Sequence, residues 1–564
     1  MLNPHAATLL AYHERTKHRL ERYAFGPETL DWDAQPDPFR RFAGAPLTPL
    51  PLPANDEKVA WSRIFTPGAI APHPATLRSI GLLFELSFAL SAWKQLGPDR
   101  WAQRCNPSSG NLHPTEVYLL ASGLAYLDDG FYHYAPREHA LEQRAALTPP
   151  IPPLQQESSA PPRLLVGFSS IHWREAWKYG ERAFRYCQLD MGHAIGALRY
   201  AAAVLGWRLR EVALAHDDIA ALLGLDRASD FARAEREEPE AVFELLLTPG
   251  SPDPDACDPL AWLPGAAWQG QANRLDPRPM YHWPVIEQAA QASRRSMPTP
   301  AAPALPMAAR RLLPATEASA ADLIRSRRSA QRFDRRARLE AERLWPMLEA
   351  LMPQTEGGHA ALPWDTGSQP PAVHAVLFAH RIDGLAPGAY LLARHPSALP
   401  ALQAALAHLA WQPVPNSPPG VPLHELVQNP ALAGTLRTLS CHQAIAADAL
   451  FVVALLAEFT PRIASAPWQY RELLREAGLI GQALYLEAEA AGLRGTGIGC
   501  YFDDPVHELL GLSGPAPQTW QVLYHFSVGL PVPDERITHF PPYDRQETMD
   551  SSAHVRPPTP RAAP

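Results

Sequence analysis

The chain lacks the cysteine pattern of disulfide-rich or zinc-binding proteins. Its five cysteines lie far apart and no two form a CxxC pair: Cys105, Cys187, Cys257, Cys441 and Cys500. Such an odd, scattered set fits a reducing compartment and predicts neither a disulfide framework nor a metal site. Two of these residues, Cys441 and Cys500, stand in apolar surroundings, so we expect them to be small buried residues.

Other features are also missing. No apolar run approaches the roughly 18 to 20 residues of a membrane span. The first residues show neither a basic segment nor an apolar signal-peptide core, so the expected location is cytoplasmic. The net charge is −8 and no long basic run occurs, which argues against nucleic acid as a partner.

Lysine is scarce, whereas arginine and proline are abundant. The lysines are Lys17, Lys58, Lys94 and Lys178, and every other basic position is arginine. An amine changes its protonation near neutral pH far more readily than a guanidinium does. A lysine kept in this background is therefore a candidate for acid–base chemistry, and the alternative is chance retention on a surface.

The length of 564 residues allows two to four domains of about 150 residues, or two large ones. Turn-rich and proline-rich stretches separate the parts. The predicted parts are an N-terminal wrapping arm at 1–60, a first domain at 61–285, a linker at 286–313, a second domain at 314–545 and a disordered tail at 546–564.

Hydrophobic periodicity predicts helices and strands in the first half. The predicted helices span Thr76–Leu96 and Arg182–Leu205, with another beginning at Ala220. The predicted strands are Val117–Ala121, Gly130–Tyr134, Arg163–Phe168 and Arg208–Leu214.

The second half repeats landmarks of the first in the same order. A Gly-aromatic strand at Gly388, followed by Ala398-Leu399, echoes Gly130 and Ala140-Leu141. The helical stretches Gly192–Gly206 and Gly478–Gly492 have equal length. The pairs Asp217-Asp218 and Asp503-Asp504 follow them, and each is followed by an LLGL sequence. This series predicts a duplicated α+β domain.

One polar stretch in the first half carries the strongest local signal. Residues Arg104–Pro114 combine turn formers, two serines and an asparagine directly before a strand. Proline and glycine let the backbone bend tightly, so hydroxyls, an amide and backbone N–H groups can converge on a polar ligand. The alternative is an ordinary polar turn.

A second stretch, Ile324–Asp334, opens the second domain with several arginines around Ser329. Guanidinium groups bind phosphate in a bidentate manner, and the hydroxyl adds a donor. The alternative is a solvated basic face.

Together these stretches resemble the flavin-dependent nitroreductases over most of residues 60–545. Arg327-Arg328-Ser329 and Phe333-Asp334 resemble the RRSxRxFD-type signature, Pro107–Pro114 resembles PSSxNxQP, and Gly495–Gly499 is similar to the third flavin-contacting segment. The arm, Ser440–Gln443 and Lys178-Tyr179 are similar to tandem proteins of the SagB-type dehydrogenase group, which includes azoline oxidases.

The resemblance implies FMN at an interface between two nitroreductase-like halves. The family assembles each site from two subunits, one giving the arginine segment and the glycine strand, the other the serine loop. Here the first half has no arginine signature beyond Leu77-Arg78-Ser79, and the second half has no Pro-Ser-Ser turn near Pro363–Val373. We therefore expect an intrachain pseudo-dimer with one flavin site and one decayed counterpart.

The implied roles can be assigned residue by residue. Arg327, Arg328 and Ser329 hold the phosphate and ribityl chain, and Arg536 reaches the phosphate from the C-terminal segment. Gln331 replaces a usual Lys or Arg, and His113 replaces a Gln. The other side of the site is formed by Pro107, Ser108, Ser109 and Asn111. Backbone donors near the isoalloxazine come from Gly497, Ile498 and Gly499.

Lys178-Tyr179 matches the pair that azoline oxidases are thought to use for acid–base work. The alternative is an amphipathic segment with a solvated lysine. The predicted activity is an FMN-dependent oxidoreductase that moves a hydride between substrate and flavin N5, acting on a small molecule or on a modified peptide such as an azoline. An NAD(P)H-dependent nitro or quinone reductase and a non-catalytic partner-binding scaffold remain open, as does further oligomerisation.

Overall fold

The computed structural model of the chain describes residues 2–52, 58–147, 162–248, 258–298, 305–353, 359–366, 370–512 and 519–543. The predicted tail at 546–564 and Cys257 lie outside these residues. No helix of the described part is both long enough and apolar enough to cross a bilayer.

An antiparallel sheet forms the scaffold of the first half. Its strands alternate in direction and bury nearly all their side chains because helices and loops cover both faces. In spatial order they are Ala266–Trp268, Ala140–Leu147, Gly130–Ala135, Thr115–Ser122, Arg163–Ser170, Glu238–Leu246 and Arg208–Glu211, with Leu47–Pro49 also paired to Ala140–Leu147.

The second half builds a sheet of matching order. Its strands are Gln412–Pro413, Leu423–Gln428, Gly388–Leu392, Val373–Ala379, Phe451–Glu458, Trp520–Gly529 and Arg494–Ile498. In each sheet the short strand that follows the long central helix lies at the edge and pairs with the next long strand of its half, Glu238–Leu246 or Trp520–Gly529. This common order agrees with the internal repeat.

Two long helices join the halves. They are Ala183–Val204 and Gln469–Ala490, and every position of the first has its counterpart 286 residues later. A Cβ atom on Gly192 would lie 2.0 Å from Arg475 O, and one on Gly478 would lie 2.0 Å from Leu189 O. Because these two contacts exchange under the same shift of 286 residues, the helices cross at an internal pseudo-twofold axis.

The remaining elements surround this frame. A three-stranded ribbon consists of Thr538–Phe540, Leu90–Leu96 and Asp99–Arg104. Two-residue pairs join Phe42–Ala43 to Gln271–Ala272, Met307–Ala308 to Ala360–Ala361, and Leu339–Glu340 to Ile382–Asp383. The other α-helices are Pro4–Arg15, Leu77–Ser87, His172–Tyr179, His216–Leu222, Pro284–Ala292, Ala320–Ser326, Ala341–Glu349, Leu399–Ala405, Leu432–Leu439, Ala444–Asp448, Thr460–Ser465 and Asp503–Leu509.

Both ends of the described chain connect the halves. The N-terminal helix buries Leu9 and Tyr12, and Tyr12 Oη donates to Glu181 O at 2.6 Å in the first half. Lys17 Nζ then lies 2.7 Å from Asp504 in the second half. At the other end, Thr538–Phe540 of the second half pairs with Leu90–Leu96 of the first.

Several sequence-based expectations need correction. The predicted helix Thr76–Leu96 is a helix only over Leu77–Ser87, and Leu90–Leu96 is a strand. The apolar residues of this stretch fit both periods, and pairing with Asp99–Arg104 selects the strand. The predicted wrapping arm begins with a helix that the sequence analysis did not predict, and Asn3 caps it by accepting from His5 N.

Two details of the predicted boundaries and repeat also differ. Residues 286–292, placed in the predicted linker, belong to the helix Pro284–Ala292. Ala398-Leu399 does not match Ala140-Leu141 in structure, because the former leads into a helix and the latter begins a strand. Gly388 and Gly130 do begin strands at matching places in the two sheets.

Candidate functional site

A cavity of about 310 Å³ lies between the two halves. Its volume is within the range of about 300 to 1,000 Å³ that is typical of small-molecule sites. The lining includes predicted residues from the first half, which are Pro107, Ser108, Ser109, Asn111 and Tyr179. It also includes predicted residues from the second half, which are Arg327, Ser329, Gln331, Gly497, Ile498 and Gly499. We call it the central cavity.

Asp190, on the central helix Ala183–Val204, holds the stretch Arg104–Pro114, which we call the serine loop. Ser108 Oγ donates to Asp190 Oδ2 at 2.7 Å, and Ser109 Oγ donates to Oδ1 at 2.9 Å. Ser109 N donates to the same carboxylate at 3.0 Å. Burial raises the pKa of Asp190 to about 7, although these hydrogen bonds oppose the change.

The same loop contains an unusual backbone. Gly110, Asn111 and His113 have φ values of 58°, 61° and 53°. Left-handed geometry is rare for residues other than glycine and is found most often at turns and functional sites. Asn111 Nδ2 donates to Ala102 O at 2.9 Å, and its Oδ1 lies 3.1 Å from His113 Nε2. These contacts hold the polar side chains at the cavity wall.

Arg327 connects the arginine segment to the serine loop. Its Nε donates to Cys105 O at 3.0 Å and its Nη2 donates to Arg104 O at 3.2 Å. Its guanidinium lies 5.0 Å from the centre of the Tyr485 ring. Burial lowers the pKa of Arg327, and its Nη1 has no protein acceptor within the described part of the chain.

Two predicted phosphate ligands do not reach the cavity. Arg328 donates to the carbonyl oxygens of Arg325, Arg327 and Ser91, so it supports the backbone of the arginine segment. Arg536 is 70% exposed and pairs with Asp534 at 2.6 Å on the surface. Arg536 therefore does not line the cavity in this structure, because a carboxylate two residues away binds its guanidinium locally.

The glycine strand forms the floor of the cavity next to the arginine segment. Ala330 N donates to Gly495 O at 3.0 Å, and Gly497 N donates to Tyr485 Oη at 3.2 Å. A Cβ atom on Gly497 would lie 1.7 Å from Tyr524 Oη. Tyr524 therefore excludes any side chain at residue 497, and the backbone stays accessible to a ligand.

Only one residue of the Lys178-Tyr179 pair lines the cavity. Tyr179 lines the cavity, whereas Lys178 is not among the lining residues and its Nζ lies 5.6 Å from the Trp32 ring centre and 5.4 Å from that of Tyr179. Burial, and then Glu175, raise the pKa of Tyr179 well above its ordinary value. Burial also lowers the pKa of Lys178, which Glu175 opposes.

The site contains lining residues that the sequence-based reasoning missed. They are Lys94, Tyr186, Asp190, His193, Gln443, Tyr485, Cys500 and Tyr524. Lys94 had a signal in the scarcity of lysine; burial, and then Arg328, lower its pKa to about 8. The tyrosines and Asp190 gave no signal, because their partners lie far away in sequence.

The polar character of the cavity fits the phosphate and heteroaromatic ring of a flavin. Several buried polar atoms of the lining residues have no partner in the described part: Gln103 Oε1, Asn106 Oδ1, His113 Nδ1 and Arg327 Nη1. Buried polar groups are normally satisfied, so this set indicates a polar ligand. No cluster of three or more metal-binding side chains occurs among the described residues.

Comparisons with known proteins agree with this geometry. The model of the nitroreductase family matches residues 324–530. The trifolitoxin-processing protein TfxB of Rhizobium leguminosarum bv. trifolii is 32% identical over 151 residues, which are 25% of this chain and 34% of TfxB. A Methanocaldococcus jannaschii protein provisionally assigned to the nitroreductases is 23% identical over 137 residues, 24% of this chain and 66% of that protein. The chain thus spans about a third and about two thirds of these curated relatives.

Among solved structures, a protein of Anabaena variabilis that is provisionally assigned to the nitroreductases has the same fold. The match has a TM-score of 0.65 and 21% identity, and it covers 93% of this chain and 99% of the other. At this identity the likeness establishes the fold alone. Residues 324–530 form a nitroreductase-family domain, and the chain has the nitroreductase-like α+β fold.

Proposed function

We propose that the chain is an FMN-dependent oxidoreductase with a single flavin site in the central cavity. One observation carries the proposal: the serine loop of the first half and the arginine and glycine segments of the second half line the same cavity. The two halves are then tandem nitroreductase-like domains, at 61–285 and 314–545, that form a pseudo-dimer within one chain.

The lining residues supply the interactions that such a cofactor needs. Arg327 offers a buried, unpartnered Nη1 for a phosphate or carbonyl oxygen. Lys94 adds a second cationic group that the sequence alone did not predict. Gly497, Ile498 and Gly499 line the cavity, and without a side chain at residue 497 the strand and the Tyr524 hydroxyl lie close together there. When bound, FMN accepts or donates a hydride at N5.

Proton transfer is assigned to Tyr179. Its raised pKa keeps the phenol protonated at neutral pH, so it donates a proton or a hydrogen bond to a substrate in the cavity. Lys178 lies against the Tyr179 ring and acts as a positioning residue. In the oxidative direction a base must take the proton from the substrate. We assign this role to Asp190, because it lines the cavity and its pKa is about 7.

The proposed substrate is a modified peptide, such as one that carries an azoline, which makes the chain a SagB-type dehydrogenase. The similarity to TfxB supports this choice, because that relative is named for processing the peptide trifolitoxin. The family match with nitroreductases supports a second candidate reaction, the NAD(P)H-dependent reduction of nitroaromatics or quinones.

Purification of the full-length chain tests the proposal. We expect a yellow protein that releases FMN on denaturation. A colourless protein that does not take up added FMN would leave only the scaffold function. Rapid bleaching of the flavin band by NADPH, without any azoline substrate, would favour the reductase over the dehydrogenase.

A further inference from the structure

Two cysteines face each other at the wall of the central cavity. Phe502 N donates to Leu439 O at 2.8 Å, and the Gln443 side chain donates to Cys500 O at 3.2 Å. These contacts place residues 439–443 beside residues 500–502, so that Cys441 lies near Cys500. The two thiols interact electrostatically, and Cys500 lines the cavity.

The backbone around Cys441 is held in an uncommon conformation. Cys441 and the following His442 have φ values of 52° and 61°. Two successive non-glycine residues in the left-handed region are unfavourable unless their surroundings fix them. Hydrogen bonds on either side of Cys441 do so, because His442 N donates to Thr438 O at 3.2 Å and Gln443 N donates to Ser440 O at 3.1 Å.

A histidine from the N-terminal segment approaches the pair. His18 Nδ1 accepts from Ala24 N at 2.9 Å, which leaves the proton of the neutral ring on Nε2. The His18 side chain also interacts with Cys500, and Nε2–H is the ring group that can donate to its sulfur. Arg182 adds positive charge nearby, since its Nη2 donates to Gly499 O at 3.1 Å.

These contacts favour a thiolate on Cys500. The interaction with Cys441, followed by that with His18, lowers the pKa of Cys500 although burial opposes the change, and the interaction with Cys500 raises the pKa of Cys441. The titratable or charged groups that face the pair are His18, Tyr23, Tyr179, Arg182, Tyr186 and Asp503.

The other described cysteines form a contrast. Cys441 and Cys500 are half-buried, whereas Cys105 and Cys187 are buried. Burial raises the pKa of Cys105 to about 12 and that of Cys187 well above its ordinary value. Buried thiols of this kind are unreactive, so they serve as internal controls. The expectation that Cys441 and Cys500 are small buried residues is therefore wrong.

We propose that Cys441 and Cys500 form a reversible dithiol–disulfide pair that a peroxide closes at the cavity wall. The Cys500 thiolate attacks hydrogen peroxide, which gives a sulfenic acid on Cys500 and hydroxide. Cys441 then attacks that sulfur through its own sulfur, and the new disulfide forms as water leaves. Cys500 is oxidised by two electrons as the peroxide is reduced, and a dithiol reductant reverses the change.

The test uses the full-length chain with Cys257→Ser, which removes the cysteine outside the described residues. After treatment with hydrogen peroxide, the protein is unfolded, alkylated and digested without reduction. We expect a Cys441–Cys500 linked peptide, with Cys105 and Cys187 still alkylated. In Cys441→Ser, Cys500 should stop at a sulfenic acid that dimedone traps. In Cys500→Ser, Cys441 should stay unreacted.

The pH dependence of the reaction separates this pair from ordinary thiols. Between pH 8 and pH 6 the rate at Cys500 should fall much less steeply than that of an ordinary thiol, which has a pKa of about 8.5 and slows roughly tenfold per unit. No linked peptide, equal oxidation of Cys105, or a tenfold fall per pH unit would each overturn the proposal. Because the peroxide is added, these results do not depend on the flavin.

Discussion

The central cavity has a counterpart on the other side of the pseudo-twofold axis. This second cavity has a volume of about 360 Å³ and lies against the same pair of central helices. Its lining includes Glu211, Glu472 and Leu479. Positions 286 residues away from these are Gly497, Tyr186 and His193, all of which line the central cavity.

The difference lies in the side chains rather than in the frame. Where the central cavity has Gly497, whose backbone faces the open space, the second cavity has the carboxylate of Glu211. At the position of Tyr186 in the central cavity, the second cavity has Glu472, which pairs with Arg475 at 3.1 Å. Arg475 also binds Glu240 at 2.6 Å. One duplicated backbone thus supports a central cavity lined by polar atoms that are unpartnered within the described residues and a second cavity lined by carboxylates and arginines, two of which, Glu472 and Arg475, pair with each other.

Exchanging the key residue of the two cavities should have the largest effect. Gly497→Glu copies the residue of the second cavity into the first, where even a Cβ atom would lie 1.7 Å from Tyr524 Oη. We expect flavin affinity to fall about 100-fold or more, a loss of about 3 kcal/mol. Fluorescence titration of the purified variant with FMN measures it.

Gly434→Glu is the matched control, because a Cβ atom there meets no heavy atom within 4 Å. It should bind flavin like the wild type. Undiminished binding by Gly497→Glu would show that the strand does not contact the ligand.

Tyr179→Phe should affect turnover rather than binding. Loss of the phenol removes the proton donor, and we expect turnover to fall about 10²- to 10⁴-fold with flavin content unchanged. Lys178→Met should lose only a few-fold, because Lys178 does not line the cavity. If the lysine variant loses as much as the tyrosine variant, Lys178 acts directly on the substrate.

Two of the three arginines predicted as phosphate ligands, Arg327 and Arg536, should differ in their effect on FMN binding. Arg327→Ala removes a buried charged donor and should weaken FMN binding about 10- to 100-fold. Arg536→Ala should leave affinity within about twofold, since Arg536 is exposed and bound to Asp534. Isothermal titration of both variants makes the comparison, and equal losses would contradict the assignment.

The smallest effect belongs to the second cavity. Burial, and then Glu472, raise the pKa of Glu211 to about 7, above its unfolded value of 4.5. The wild type therefore loses stability relative to Glu211→Gln as pH rises from about 4.5 to 7, and the two are alike below pH 4. With 21% of the side chain exposed, we expect the variant to gain about 1 to 2 kcal/mol at pH 8.

Urea unfolding at pH 4 and pH 8 measures this change, and flavin binding serves as the control. Unaltered stability at both pH values would mean that Glu211 is charged at no cost. A change in flavin affinity would mean that the two cavities are coupled.

The sequence predicted some parts of the molecule well. The α+β class is confirmed, because repeated helix–strand landmarks survive divergence of side chains. The serine loop, the arginine segment and the glycine strand each carry turn or charge patterns that act locally, and the structure gathers them around one cavity. The roles of individual residues and the domain boundaries remain predictions.

Other parts depend on long-range packing, which local patterns do not record. Leu90–Leu96 has apolar spacing that suits a helix, and only its partner strand at Asp99–Arg104 decides otherwise. Asp190 binds serines about 80 residues earlier in the chain, so nothing in its neighbourhood marked it. Arg536 shows the opposite case, because its partner Asp534 is only two residues away in the sequence and pairs with it on the surface.

The stoichiometry of flavin binding tests the central claim most directly. The claim is that the two halves of one chain assemble one flavin site, in the central cavity, and that the charged lining of the second cavity does not bind flavin. Titration of flavin-free protein with FMN, followed by absorbance and protein quantification, should reach one FMN per chain. Two FMN per chain, or one per two chains, would contradict the account.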